Sequence, residues 1–233
     1  MMETFISLTW SQDVEEGEAH VLVYTVTYLV AQLGKRLPFW FQFQAMPPIR
    51  PFGDWVILMM PQGSAYSSMD WYIKHSVTPD GRAVDGLAYL RLVEMEPWQS
   101  STPHFDLALV GRDLNDAQGR SVLSVVRSGM AAVVSVHQLR RSFEKEERIV
   151  KLSHLVAHNF GRVVGIPLPG RKTGLQYVDE HSYCTHLCAM RPMMTLDDLV
   201  ELSEQIRGRW GFYCDVCQSE MEAVFISKYY GMN

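Results

Sequence analysis

The stretch Lys151–Gly165, KLSHLVAHNFGRVVG, decides how the rest of the chain is read. It lies in a segment that reads as a helix from about Phe143, with Ser142 as N-cap and acidic residues crowding the first turn, where the helix dipole favours them. His154 and His158 stand at i and i+4, so their rings project from one helix face and can chelate one ion. The plainer reading packs one ring and leaves the other in solvent. A catalytic zinc needs a third protein ligand, a coordinated water and a base to take that water's proton. The residue after His154 is Leu155, which cannot accept a proton. Gly161 follows three residues after His158, and His181 and His186 are the distant candidates for a third ligand.

The whole chain bounds the answer. At 233 residues, with 47% apolar and 20% charged residues, it has the composition of one globular domain able to bury a good core. Net charge is −5 and no basic run tracks a nucleic acid backbone, so that partner class drops out. The acidic start, MMETFISLTWSQDVEEGEAH, does not read as a signal peptide. No segment reaches the roughly 18 uninterrupted apolar residues of a membrane span. Cytoplasm is the expected compartment.

Along the chain, HVLVYTVTYLVAQL (20–33) reads as a helix ending at Gly34, LPFWFQFQ as a strand from its alternating aromatics, and MPPIRPFGD as a Pro-rich loop. WVILMM reads as a buried strand, 61–81 as turn-rich, and 82–96 as a helix. DLALVGRDL and AAVVSVHQL are β-rich runs separated by a Gly/Ser-rich link, with His137 in the second carrying no assigned role. A Gly/Pro-rich connection follows from Gly165 to Gly174. Thr195 and Asp198 are spaced as a capping box opening a further helix, and EAVFISKYYGMN reads as a helix tail or strand.

All four cysteines fall between 184 and 217, as Cys184-x3-Cys188 and Cys214-x2-Cys217 with 25 residues between the pairs. A disulfide framework would spread over the chain, whereas two tight pairs can present four thiolates to one tetrahedral ion. The competing reading is four buried cysteines packing as small hydrophobes. Four thiolates leave no position for water, so the ion expected here is a structural zinc.

These residues carry a resemblance. The segment Asp106–Cys217 resembles the archaemetzincins, zinc metallopeptidases whose signature is H-E-x-x-H-x-x-G-x-x-H, then a cysteine, a C-x-M element and a C-x-x-C. His154, His158 and Gly161 match the helix; CTHLCAM supplies Cys184, Cys188 and Met190, the last resembling the methionine turn beneath a catalytic zinc; CDVC supplies Cys214 and Cys217. The resemblance covers roughly the C-terminal half. It implies that DLALVGRDL and AAVVSVHQLR are paired strands, the second an edge strand that binds an extended peptide. The departures are equally specific. Leu155 replaces the general base, Val164 stands where the third histidine belongs, and Tyr183 precedes the first cysteine, with His181 two residues earlier as the candidate third ligand. Asp179 and Glu180 are the acids available as a substitute base.

The expected fold is therefore an α/β (α+β), zincin-like sandwich: a mixed twisted sheet with an antiparallel edge strand, backed by two long helices. It is expected as a single domain over 1–233, with an N-terminal lobe over 1–164 ending in the histidine helix and a small zinc-knit lobe over 165–233. The expected function is that of a degenerate peptidase that keeps the zinc of the four cysteines and a peptide cleft. Two alternatives stand beside it: a working hydrolase with a second zinc on His154, His158 and His181, and a non-enzymatic interaction protein.

Overall fold

The computed structural model describes residues 5–37, 46–54, 68–179, 181–207 and 211–230. The runs LPFWFQFQ and WVILMM fall almost wholly outside them, and so does Glu180.

The sheet is built around central strands too apolar to face water on either side. Strand β1 (Ile6–Trp10) is followed by helix α1 (Glu16–Arg36), β2 (Ile49–Gly53) and α2 (Met69–Ser76), then β3 (Ala83–Asp85), α3 (Gly86–Glu94) and α4 (Pro97–Ser101). Strands β4 (Phe105–Val110), β5 (Asp113–Asn115), β6 (Ser124–Arg127) and β7 (Ala131–Ser135) lead to α5 (His137–Ser142) and α6 (Lys145–Val164). Strands β8 (Leu175–Val178) and β9 (His181–Cys184) and helices α7 (Leu196–Gln205) and α8 (Asp215–Tyr230) complete the order. The main sheet runs β2-β1-β4-β7-β6, parallel throughout except for β6. Two-stranded sheets pair β3 with β5 and β8 with β9.

Every residue of β4 and β7 is buried. This follows from helices covering both faces, as parallel sheets require. Leu107, Leu109, Ala132 and Val134 meet α1 and α6 on one face. Ala108, Val110, Ala131 and Val133 meet α2 and α3 on the other. The α1–α6 layer is keyed by one buried carboxylate. Glu18 on α1 accepts from Arg140 Nε at 3.0 Å and Nη2 at 2.5 Å, and lies 3.2 Å from Arg148 Nε. Every residue of helix α6 from His154 to Val164 is buried.

Several sequence expectations are corrected. AAVVSVHQL is not an edge strand: β7 lies between β4 and β6, and His137 begins α5. Its unbroken apolar run is that of an interior strand, and the antiparallel edge is β6, SVVR, within the stretch read as a link. MPPIRPFGD is not all loop, because IRPFG forms β2 at the other edge, where Pro51 is tolerated despite lacking an N–H. Helix α6 starts at Lys145 with Glu144 as N-cap, while Ser142 closes α5. Helix α1 continues through Gly34 to Arg36, and the helix expected over 82–96 begins only at Gly86, where Asp85 Oδ1 accepts from Ala88 N at 2.9 Å. The turn-rich stretch contains α2, with Ser68 Oγ accepting from Asp70 N. The capping box at Thr195 and Asp198 forms, and the C-terminal run is helix α8.

Candidate metal centre and the adjoining cleft

Two short segments bring the cysteines together. Cys184 ends β9, and its N–H donates to Met190 O at 2.8 Å, closing the loop that carries Cys188. Cys214 precedes α8, accepting from Gln218 N at 2.9 Å, and Cys217 sits in the first turn of that helix. The four Sγ atoms lie within 4.8 Å of one another, with Cys184–Cys214 and Cys188–Cys217 both at 3.8 Å. A tetrahedron with Zn–S bonds of about 2.3 Å has edges of about 3.8 Å. All four are free thiols. The donor set and its spacing therefore fit one thiolate-bound ion. Without an ion the cluster cannot carry four negative charges: hydrogen bonds from the other three thiols hold the Cys184 thiol far below its usual range, while the same contacts push Cys217 far above it. A bound cation would let all four ionise.

Arg171, in the Gly/Pro-rich connection, reaches this cluster. Its side chain is 4% exposed; Nη2 donates to Cys184 Sγ at 3.2 Å, Nη1 to Cys217 Sγ at 3.4 Å, and Glu220 Oε2 lies 3.5 Å from Nη1. Burial opposes its charge, and the two sulfurs more than restore it, raising its pKa. No motif in the sequence singles out this arginine; only the folded connection places it. His186 stands beside the same sulfurs, 3.4 Å from Cys184 Sγ, and not in the cleft.

The histidine helix presents a different picture. His154 is 8% exposed, packs edge-on against Phe212 at 5.2 Å, and its Nδ1 has no hydrogen-bond partner among the described residues. Burial, with a smaller contribution from Lys151, lowers its pKa to about 4. His158 Nδ1 donates to Ala189 O at 2.7 Å, which leaves Nε2 as the acceptor of the neutral ring. Its pKa is also lowered to about 4, chiefly by burial. Leu155 is 0% exposed and belongs to the main apolar cluster, as does Val164. Met190 is fully buried against Gly161, where an added Cβ would overlap its sulfur. Tyr213 Oη donates to Ala157 O at 2.6 Å, fastening the segment before Cys214 to the helix.

A cleft of about 480 Å³ opens between β6 and β9. Ser124, Val125 and Val126 form one wall; His158, Asp179 and His181 lie across from them. Arg162 braces that side, donating to Ser182 O at 2.8 Å with its guanidinium 4.9 Å from the Tyr183 ring centre. His154 does not line the cleft. Among the described residues, His154, His158 and His181 do not gather their ring nitrogens within 4.8 Å. The three therefore do not fit a tetrahedral zinc as placed.

The architecture matches solved structures over almost the whole chain. An archaemetzincin from Archaeoglobus fulgidus, complexed with malonate, superposes with a TM-score of 0.54 at 17% identity, covering 93% of this chain and 99% of that one. The fold is that of the archaemetzincins. A second archaemetzincin, from Methanopyrus kandleri, gives 0.54 at 14% identity over 95% of both chains. A zinc-dependent peptidase from Methanocorpusculum labreanum gives 0.55 at 15% identity, covering 93% of this chain and 99% of that one. No protein-family model and no curated protein matches the sequence. Leu155, which the sequence resemblance sets at the position of the signature glutamate, faces the core.

Proposed function

We propose that this chain is a zinc-stabilised protein of archaemetzincin fold that binds extended peptides and does not cleave them efficiently. One observation carries the reading: Leu155, at the general-base position, is packed into the apolar core. Loss of a general base removes a factor of roughly 10² to 10⁴, and here the position does not face the cleft at all.

The sulfur cluster would hold one structural zinc through Cys184, Cys188, Cys214 and Cys217. The ion would knit the β9 turn to the start of α8, with Arg171 offsetting part of the thiolate charge. Peptide binding falls to β6, the last strand of the sheet, whose residues line the cleft. An extended segment laid beside it gains main-chain hydrogen bonds by strand addition, and the cleft supplies side-chain pockets. His158 Nε2 and His181 then serve as polar contacts.

A second reading, a working hydrolase, draws on His158, His181 and Asp179 lining one cleft. Elemental analysis of protein purified without chelator, with cleavage of a quenched fluorescent peptide library, separates the two. Close to one zinc per chain and no cleavage is expected. Close to two zincs, with cleavage abolished by His158→Ala, would overturn the proposal in favour of the hydrolase.

A further inference from the structure

On the opposite face of the sheet from α6 lies a polar cluster that the cleft does not touch. Glu96 follows α3, His104 precedes β4, and Asp106 is its second residue. All three are buried, and they bring one ligand atom each within 4.8 Å of one another. The surroundings are largely the apolar side chains of α2, α3 and the sheet, with Ser7, Thr9, Tyr72 and Gln99 as the polar groups among them.

The hydrogen bonds fix the direction of the histidine. His104 Nδ1 lies 2.7 Å from Thr102 O, a carbonyl that can only accept, so Nδ1 carries the proton. In the neutral ring Nε2 is then an acceptor, and it points at Asp106 Oδ2, 3.0 Å away. Two acceptors at that distance need a proton or a cation between them. For metal–ligand bonds of about 2.1 Å, a 3.0 Å separation corresponds to a ligand–metal–ligand angle of about 90°, that of neighbouring octahedral positions. Each ligand is also held from outside, as metal ligands usually are: Tyr72 Oη donates to Glu96, and Gln99 Nε2 donates to Asp106 Oδ2 at 3.0 Å.

Two further observations point to an occupant. Ser7 is the strand partner of Asp106, on the same sheet face, 0% exposed, and its Oγ has no hydrogen-bond partner among the described residues. A cavity of about 10 Å³ borders Glu96 and Asp106, about the space that one water or ion fills.

We infer that Glu96, His104 and Asp106 form a buried site for a divalent transition cation, distinct from the thiolate centre and pinning the α3–β4 connection to the sheet. A nitrogen and two carboxylates at near-octahedral angles suit manganese or cobalt, whereas the four cysteines select zinc.

The test is equilibrium dialysis of the full chain, with its zinc in place, against manganese(II), which thiolates hold poorly. About one manganese per chain is expected, reported by elemental analysis and by its electron paramagnetic resonance spectrum. Asp106→Asn keeps the shape and can still contact Gln99; it is expected to weaken manganese binding at least a hundredfold while zinc content stays unchanged. Glu96→Gln serves if that variant does not fold. No bound manganese at millimolar concentration overturns the inference. So does unchanged binding in the folded variants, or a His104 ring that NMR shows protonated at neutral pH, which would leave an imidazolium–carboxylate pair only.

Discussion

The sulfur of Met190 lies against the backbone of Gly161, in the last turn of α6, so closely that one added carbon at residue 161 would overlap it. Tyr213 Cε1 stands 3.3 Å from the same point. The turn carrying Met190 and the helix carrying both histidines are thus packed through a glycine.

Gly161→Ala is expected to cost about 1–3 kcal/mol, the usual penalty for forcing a carbon into a filled core. Met190 is fully buried and has nowhere open to swing. Urea unfolding would measure the loss. Adding Met190→Ala should return part of it, because the two substitutions act on one contact and are not additive.

Arg171→Met should lower zinc retention by roughly 10–100-fold, the usual cost of losing a group that supports metal ligands. Competition with a chromophoric chelator would measure this. Arg171→Lys should not restore it, since a single ammonium cannot bridge two sulfurs as the guanidinium fork does. Equal retention in all three proteins would remove the arginine from the account of the thiolate centre.

Glu18→Ala leaves Arg140 and Arg148 facing one another without their shared carboxylate. Breaking a buried pair by removing one partner costs about 3–5 kcal/mol. Thermal unfolding should show the drop, and a loss below about 1 kcal/mol would class the clasp with ordinary surface ion pairs.

Stability should fall as pH falls from 6.5 towards 4. His154 and His158 are held neutral in the fold, with pKa lowered to about 4, whereas the unfolded rings protonate near 6.5. A depressed folded pKa gives stability that is fully present above the unfolded value and is lost as pH falls through this window. The loss reaches at most about 3 kcal/mol per ring at pH 4. Urea titrations at pH 7, 6 and 5 should show proton uptake on unfolding, diminished in a His154→Gln, His158→Gln double variant.

Leu155→Glu should not create a peptidase. Its carboxylate would enter the apolar core rather than the cleft, costing several kcal/mol. Peptide cleavage by a folded Leu155→Glu protein would show that this helix face can open.

Much of this was legible in the sequence because the signals were local. The spacing of Cys184, Cys188, Cys214 and Cys217 reports a cluster whatever the connecting chain does, and the capping box at Thr195 is written in four residues. What stayed hidden depends on who packs against whom. Two histidines at i and i+4 suggest an open helix face, but only the fold shows Phe212 against His154 and the Ala189 carbonyl on His158. Strand order was equally unreadable. SVVR is too short to stand out, yet it forms the edge, while the longer AAVVS run is enclosed. Arg171 and the His104–Asp106 pair lack any sequence signal beyond being polar residues near turns.

The enclosure of α6 from His154 to Val164 has a consequence for the way the molecule opens. A helix with one wet face can fray and exchange its amide protons through local breathing. This one is covered by sheet, helices and the cysteine-bearing loop and meets the cleft only through the side chains of His158 and Arg162, so small fluctuations do not bring water to its peptide groups. Its amides should exchange with deuterium only when the whole structure comes apart. The segment that most resembles an active-site helix should then be the slowest clock in the protein.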